Sequence, residues 1–142
     1  MATGEPGTDP SMIARKIAEL NGKYRILGLA FDRWRIADLK REMNAISCAV
    51  PLIEHGQGFK DMSGAIDCLE RLVVQQRIRH GNHPVLTWNA HNAVVVKDPA
   101  GNRKLDKSRS VGRIDGLIAL AMAFSLALLK AEPILDPRAL IA

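Results

Sequence analysis

The segment Arg25-Ile26-Leu27-Gly28-Leu29-Ala30-Phe31 is a short, continuous apolar run that stops on an acid, Asp32. Its length and its Gly/Asn boundary favour a strand. An unbroken apolar run, rather than an alternating one, implies a parallel strand with both faces covered. Before it, Asp9-Pro10-Ser11 opens a helix, with proline near the first turn and a cap candidate beside it. Ile13, Ile17 and Leu20 recur at helical spacing, and Asn21-Gly22 ends that helix. After it, a helix from about Arg33-Trp34 to Ser47 carries Ile36, Leu39, Met43 and Ile46 on one face. Ala49-Val50-Pro51-Leu52-Ile53 is a second short strand, and Pro51 suggests an edge position. Helix, strand, helix, strand in that order implies an α/β layer with right-handed crossovers.

Further along, His55-Gly56-Gln57-Gly58-Phe59 is a glycine-bearing loop, and Ser63 is read as the cap of a third helix reaching about Gln76. Ile66, Leu69, Leu72 and Val73 form its apolar face. Val85-Leu86-Thr87-Trp88 and Ala93-Val94-Val95-Val96-Lys97 read as extended, and Asp98-Pro99-Ala100-Gly101-Asn102 is a turn signal. The last helix starts near Val111, is apolar on most of its circumference, and ends at Glu132-Pro133. Residues 1–8 read as a flexible leader and 132–142 as an irregular tail.

With 47% apolar and 25% charged residues, 142 residues suffice for one domain with a real core. The net charge of +5 suits a polyanionic partner without demanding one. Cys48 and Cys68 lie in apolar surroundings on predicted helices and read as buried thiols in a reducing compartment; with His80 and His83 they lack zinc-ligand spacing. The first ten residues do not form a signal peptide, and the apolar stretch 116–129 is too short to span a bilayer. The expected location is cytoplasmic.

Ligands of open α/β sheets gather beyond the carboxyl ends of parallel strands, where Asp32 stands. Its plain alternative is an N-cap for the following helix. Asp115, in the first turn of the last helix, has its own alternative in the helix dipole, worth about 0.3–1 kcal/mol at an exposed site. It is the only acid between Lys107 and Lys130, and Gly116 beside it leaves room for a close approach. An aspartate drawn toward a sheet needs compensation from a metal, from Arg113 or from a strand-end hydrogen bond. Together the two acids suggest a site for a hard divalent cation. Two-metal phosphodiester cleavage places its ions about 3.5–4 Å apart and usually takes three or more carboxylates. From Lys97 to Arg113 the chain carries Lys97, Arg103, Lys104, Lys107, Arg109 and Arg113 against Asp98 and Asp106. This is either a solvated loop or a hairpin that tracks a phosphate backbone, with Arg77, Arg79 and His80 extending the patch. Trp88 reads as packing rather than as a base-stacking platform.

Several segments, in order, resemble one family. Leu29-Ala30-Phe31-Asp32-Arg33-Trp34 is similar to the strand-end motif of phage terminase large subunits, with Arg33 where proline is frequent. Gln57-Gly58-Phe59-Lys60-Asp61-Met62-Ser63, the run from Arg77 through Trp88 to Asn92, Asp98–Asn102, Lys104–Lys107 and Arg113-Ile114-Asp115-Gly116 complete the pattern. The match covers about residues 9–130, so 9–131 is taken as part of a terminase nuclease domain. The resemblance implies an α/β, RNase H-like but incomplete fold, with a short central sheet, flanking helices and a β-hairpin before the last helix. It implies Mg²⁺- or Mn²⁺-dependent endonucleolytic cutting of double-stranded DNA during genome packaging, in the cytoplasm of a bacterial host carrying a phage or prophage. Asp32 then corresponds to the second metal-binding acid and Asp115 to the last, both catalytic. Arg79, Lys104, Lys107, Arg109 and Arg113 are the expected DNA-binding residues.

The resemblance implies a first metal-binding aspartate on an earlier strand and an ATPase motor, neither of which is expected within these residues; Glu5 and Asp9 are poor substitutes. The strand at 25–31 would then present a bare edge, a template for pairing. The expected partners are therefore DNA, the missing N-terminal portion, another terminase or portal component, or a second copy through that edge. Two other readings stay open: a catalytically inactive prophage remnant that keeps DNA or protein binding, and a general α/β ligand-binding domain with Asp32 as a helix cap.

Overall fold

Asp9 starts the first helix as the sequence suggests. Its carboxylate accepts the Ser11 N–H at 2.9 Å, and Pro10 occupies the first turn, where a missing N–H costs nothing. The computed structural model describes residues 8–33 and 36–130. Within them run α1 (Pro10–Lys23), β1 (Leu29–Phe31), α2 (Ile36–Ala45), β2 (Leu52–Glu54), α3 (Phe59–Val74), α4 (Pro84–Asn92), β3 (Val95–Lys97), β4 (Arg103–Leu105) and α5 (Asp115–Lys130). They fall into two compact units, Met1–Gly56 and Gln57–Ala142. The expectations for residues 1–7, for Trp34, and for Glu132-Pro133 and the tail lie outside the described residues.

In the first unit α1 runs past Asn21-Gly22 to Lys23, whose ammonium pairs with Glu19 one turn back at 2.7 Å. A cation in the last turn also suits the helix dipole. Ala14, Ile17, Met43 and Val50 are buried together, with Ile13, Ile26, Leu29, Leu39, Cys48 and Leu52 packed against them. β1 and β2 pair in parallel, Leu29 opposite Leu52 and Phe31 opposite Glu54.

β1 covers only Leu29–Phe31, not the whole run from Arg25, and Pro51 supplies the reason. The ladder includes Leu29 N–H to Pro51 O and His55 N–H to Phe31 O, both 2.8 Å. Continued backward, it would need a donor at residue 51, and proline has none. Nor is the run covered on both faces. All three β1 residues are half-buried, and Leu27 is 56% exposed.

α2 ends at Ala45, short of Ser47. Ser47 takes a left-handed φ of +54°, and the N–H groups of Ser47 and Cys48 close onto Asn44 O and Met43 O. This pattern satisfies the last carbonyls of the helix. Cys48 is therefore half-buried just beyond α2 rather than on a helix, while Cys68 is buried on α3; both are free thiols.

In the second unit α3 begins at Phe59 with Gly58 at its cap position, so Ser63 is not the cap. Ser63 sits a turn inside, and its hydroxyl accepts the Arg103 N–H at 3.2 Å. Met62, Ala65, Ile66, Cys68 and Leu72 form the buried face of α3, which packs on α5 through Ile118, Ala121 and Met122.

The extended reading of Val85–Trp88 is wrong: these residues lie in α4. A β-branched, aromatic run is only a weak preference. Pro84 presets the first helical φ, and helical spacing puts Asn89 and Asn92 on one face against the chain at Arg113. β3 and β4 form an antiparallel hairpin, Val95 opposite Leu105 and Lys97 opposite Arg103. Its turn is closed by the Asp98 carboxylate on the Asn102 N–H and by Gly101 at φ +84°. Arg103 ties the hairpin to α3 by donating from one guanidinium nitrogen to both Asp67 and Glu70. α5 starts at Asp115, not near Val111. No helix among the described residues is long and apolar enough to cross a membrane.

Candidate metal and nucleic-acid site

At the carboxyl end of the parallel pair in the first unit, β1 delivers half-buried Asp32 and β2 delivers Glu54, followed by buried His55. Asp32 directly follows β1, four residues ahead of Ile36, where the described part of α2 begins. Arg33 Nε stands 2.5 Å from a Glu54 oxygen. Both side chains are largely exposed, so the pair is worth about 0–1 kcal/mol. His55 Nδ1 is 2.9 Å from Gly56 O, which orients the ring. The sequence singles out Asp32 at this strand end, and Glu54 and His55 stand at the neighbouring one. Applying the same strand-end rule to the second strand would have found them.

In the second unit Asp115 is the first residue of α5. It is exposed, with Lys107 Nζ at 2.7 Å, so the expected desolvation is absent. Ile114 O accepts the Ile118 N–H, which places Ile114 at the cap position, where its apolar side chain caps nothing. The Leu117 N–H donates instead to Asn89 Oδ1 on α4 at 3.3 Å, while Asn89 Nδ2 donates to Arg113 O at 3.0 Å and Asn92 Nδ2 to the same oxygen at 3.4 Å. Both asparagines are buried. The close approach that Gly116 allows is made by the Asn89 side chain. The role of these asparagines was not legible from a single chain.

The basic residues divide. Lys104 of β4 lies over the Phe59 ring, 4.8 Å from its centroid. Lys97, Lys104 and Arg109 line one cleft of about 480 Å³ with Phe59, Val95, Val96 and Asp106. Lys107 is on Asp115, Arg109 is 3.6 Å from Asp106, and Arg103 is occupied by α3. Arg79 and Arg113 are exposed and do not line that cleft. Exposed Trp88 packs beside Gly112, as a packing residue would. Among the described residues no group of three or more His, Cys, Asp or Glu is gathered as a metal cage.

The Asn102 amide holds the Asp98 carboxyl below the usual carboxylate range, and the Ser108 hydroxyl, then its N–H, does the same for Asp106. A folded-state pKa below the unfolded one gives stability that is present above the unfolded value and lost as pH falls through the folded one. Hairpin protection in amide exchange should therefore be constant above about pH 5 and decline below about pH 4, and Asp98→Asn should flatten that decline.

A family model described as terminase large subunit, endonuclease domain, matches residues 8–131. The chain is 54% identical over 119 residues to the terminase large subunit of Enterobacteria phage HK97, an alignment covering 84% of this chain and 24% of that protein. The crystal structure of the HK97 bacteriophage large terminase matches with a TM-score of 0.79 at 53% identity, over 83% of this chain and 25% of that one. The chain thus spans about a quarter of the length of the relatives it matches. With a family model over nearly its whole length and a relative at this identity, the chain belongs to the endonuclease-domain family of phage terminase large subunits.

Proposed function

We propose that this chain is the part of an RNase H-like terminase nuclease that contributes Asp32 and Asp115 as metal-binding, catalytic carboxylates for cutting double-stranded DNA during packaging, in the cytoplasm of the host cell. The observation that carries the reading is Asp32 at the carboxyl end of a parallel strand, in a chain whose family is terminase nucleases. Carboxylate oxygens suit Mg²⁺ or Mn²⁺ in kind. When bound, such ions polarise a phosphodiester oxygen and activate water. Asp115 would hold such an ion in place of Lys107, whose ammonium would then be available to a phosphate. Two acids fall short of a complete two-metal set, so cutting draws on a carboxylate from another terminase segment. The edge of β1 away from β2 would receive that segment, a second copy of this chain, or a further packaging component.

The DNA backbone is held by Lys104 and Arg109, which line the cleft with Lys97, and by Arg79, Lys107 and Arg113 outside it. The test is duplex binding across a salt series. Lys104→Ala should weaken binding alike for all sequences and lower the slope of log K against log salt by about 1. An unchanged slope would remove Lys104 from the interface. Salt-dependent binding without cutting, even with the remaining terminase segments supplied, would favour the inactive remnant.

A further inference from the structure

We infer that Asn89, assisted by Asn92, is a positioning residue for Asp115: from α4 it caps α5 in trans and clamps the backbone on both sides of the acid. The inference rests on the reading of Asp115 as a metal-binding acid. The first N–H groups of a helix have no partner within it, and a polar side chain at the cap position usually takes one. Ile114 cannot, and it is buried instead. Asn89, 3% exposed, uses both ends of its amide, accepting from Leu117 and donating to Arg113 O. Asn92 adds a second donor to that carbonyl, which has two lone pairs to offer.

The clamped groups lie two residues before Asp115 and two residues after it. The acid's backbone is thereby fixed, and its orientation is left to its own side-chain torsions. Because the capping comes from α4, the Asp115 carboxylate is not spent on α5, and it stands exposed beside Lys107. Two glycines make the approach feasible. A Cβ at Gly116 would stand 2.7 Å from Asn89 Oδ1, and one at Gly112 would stand 2.7 Å from Asn92 Nδ2 and 2.9 Å from Trp88 Cζ2. Groups that orient a metal ligand typically matter about 10–100-fold to metal affinity.

The test follows the Asp115 and Gly116 amide resonances of the full chain as Mn²⁺ is added, at a temperature where circular dichroism shows every variant folded, with metal-free thermal melts alongside. Asn89→Ala and Gly116→Ala should each raise the Mn²⁺ concentration needed for half-broadening about 10-fold. Gly116→Ala is the sharper variant. It keeps the Asn89 side chain and pushes its Oδ1 off the Leu117 N–H, so a purely structural latch predicts a lower melting temperature with unchanged Mn²⁺ response. If Asn89→Ala does not fold, Gly116→Ala and Asn92→Ala carry the test. Wild-type broadening in these variants, with broadening lost in Asp115→Asn, overturns the inference and leaves the metal reading standing. Broadening in Asp115→Asn equal to wild type overturns that reading, and the inference with it.

Discussion

Ile114→Ala should cost about 2–5 kcal/mol, read from urea unfolding followed by circular dichroism, because it empties a fully enclosed site at the start of α5. Ile114 is 1% exposed, and its carbonyl receives the first intrahelical bond of α5, from Ile118 at 3.1 Å. Removing the side chain forfeits its transfer energy and leaves a cavity that the packed α3–α5 face cannot fully close. Ile114→Val should cost only about 0.5–1.5 kcal/mol. Val111, three residues earlier, is 92% exposed, and Val111→Ala should stay within about 0.5 kcal/mol. The contrast checks where α5 begins: a helix starting at Val111 would not make the two sites so unequal.

The second large effect concerns the acids. In plasmid-nicking assays with Mn²⁺, and with a terminase polypeptide supplied in trans for the remaining carboxylate, Asp32→Asn and Asp115→Asn should each lower the rate about 100-fold or more. Asparagine keeps the size of the side chain and removes its charge, so a ligand is lost without a packing defect. Asp115→Asn leaves Lys107 without its carboxylate, but both groups are exposed, and the change in stability should stay below about 1 kcal/mol. The loss of rate is thereby separable from unfolding. Rates within a few-fold of wild type in either variant would remove that aspartate from the chemistry.

Much of this was legible in the chain before its structure. The Asp9 cap, the parallel order of β1 and β2, the turn at Asp98–Asn102 and the hairpin ahead of α5 all have local chemical signatures. What was misread depended on tertiary partners. The run from Arg25 looked like one buried strand, and its length was decided by the missing N–H of Pro51 on the strand beside it. Val85–Trp88 carried strand-like side chains, and Pro84 and the fit of Asn89 and Asn92 against Arg113 made them helical. Val111 looked like a helix start because nothing in the local sequence reveals that α5 takes its cap from α4. Asp32 and Asp115 were singled out through a strand end and a helix start. Asn89 was not, because its significance lies in the helix start that stands beside it in space, whereas Glu54 and His55 follow from the strand-end rule once it is applied to β2.

The most direct check of the central claim is anomalous diffraction from crystals of this chain soaked in Mn²⁺. Manganese peaks about 2.1 Å from the carboxylate oxygens of both Asp32 and Asp115, with Lys107 moved off Asp115, are the predicted result. Crystals that bind manganese elsewhere, or that keep Lys107 on Asp115 and leave both aspartates without a peak, would contradict it.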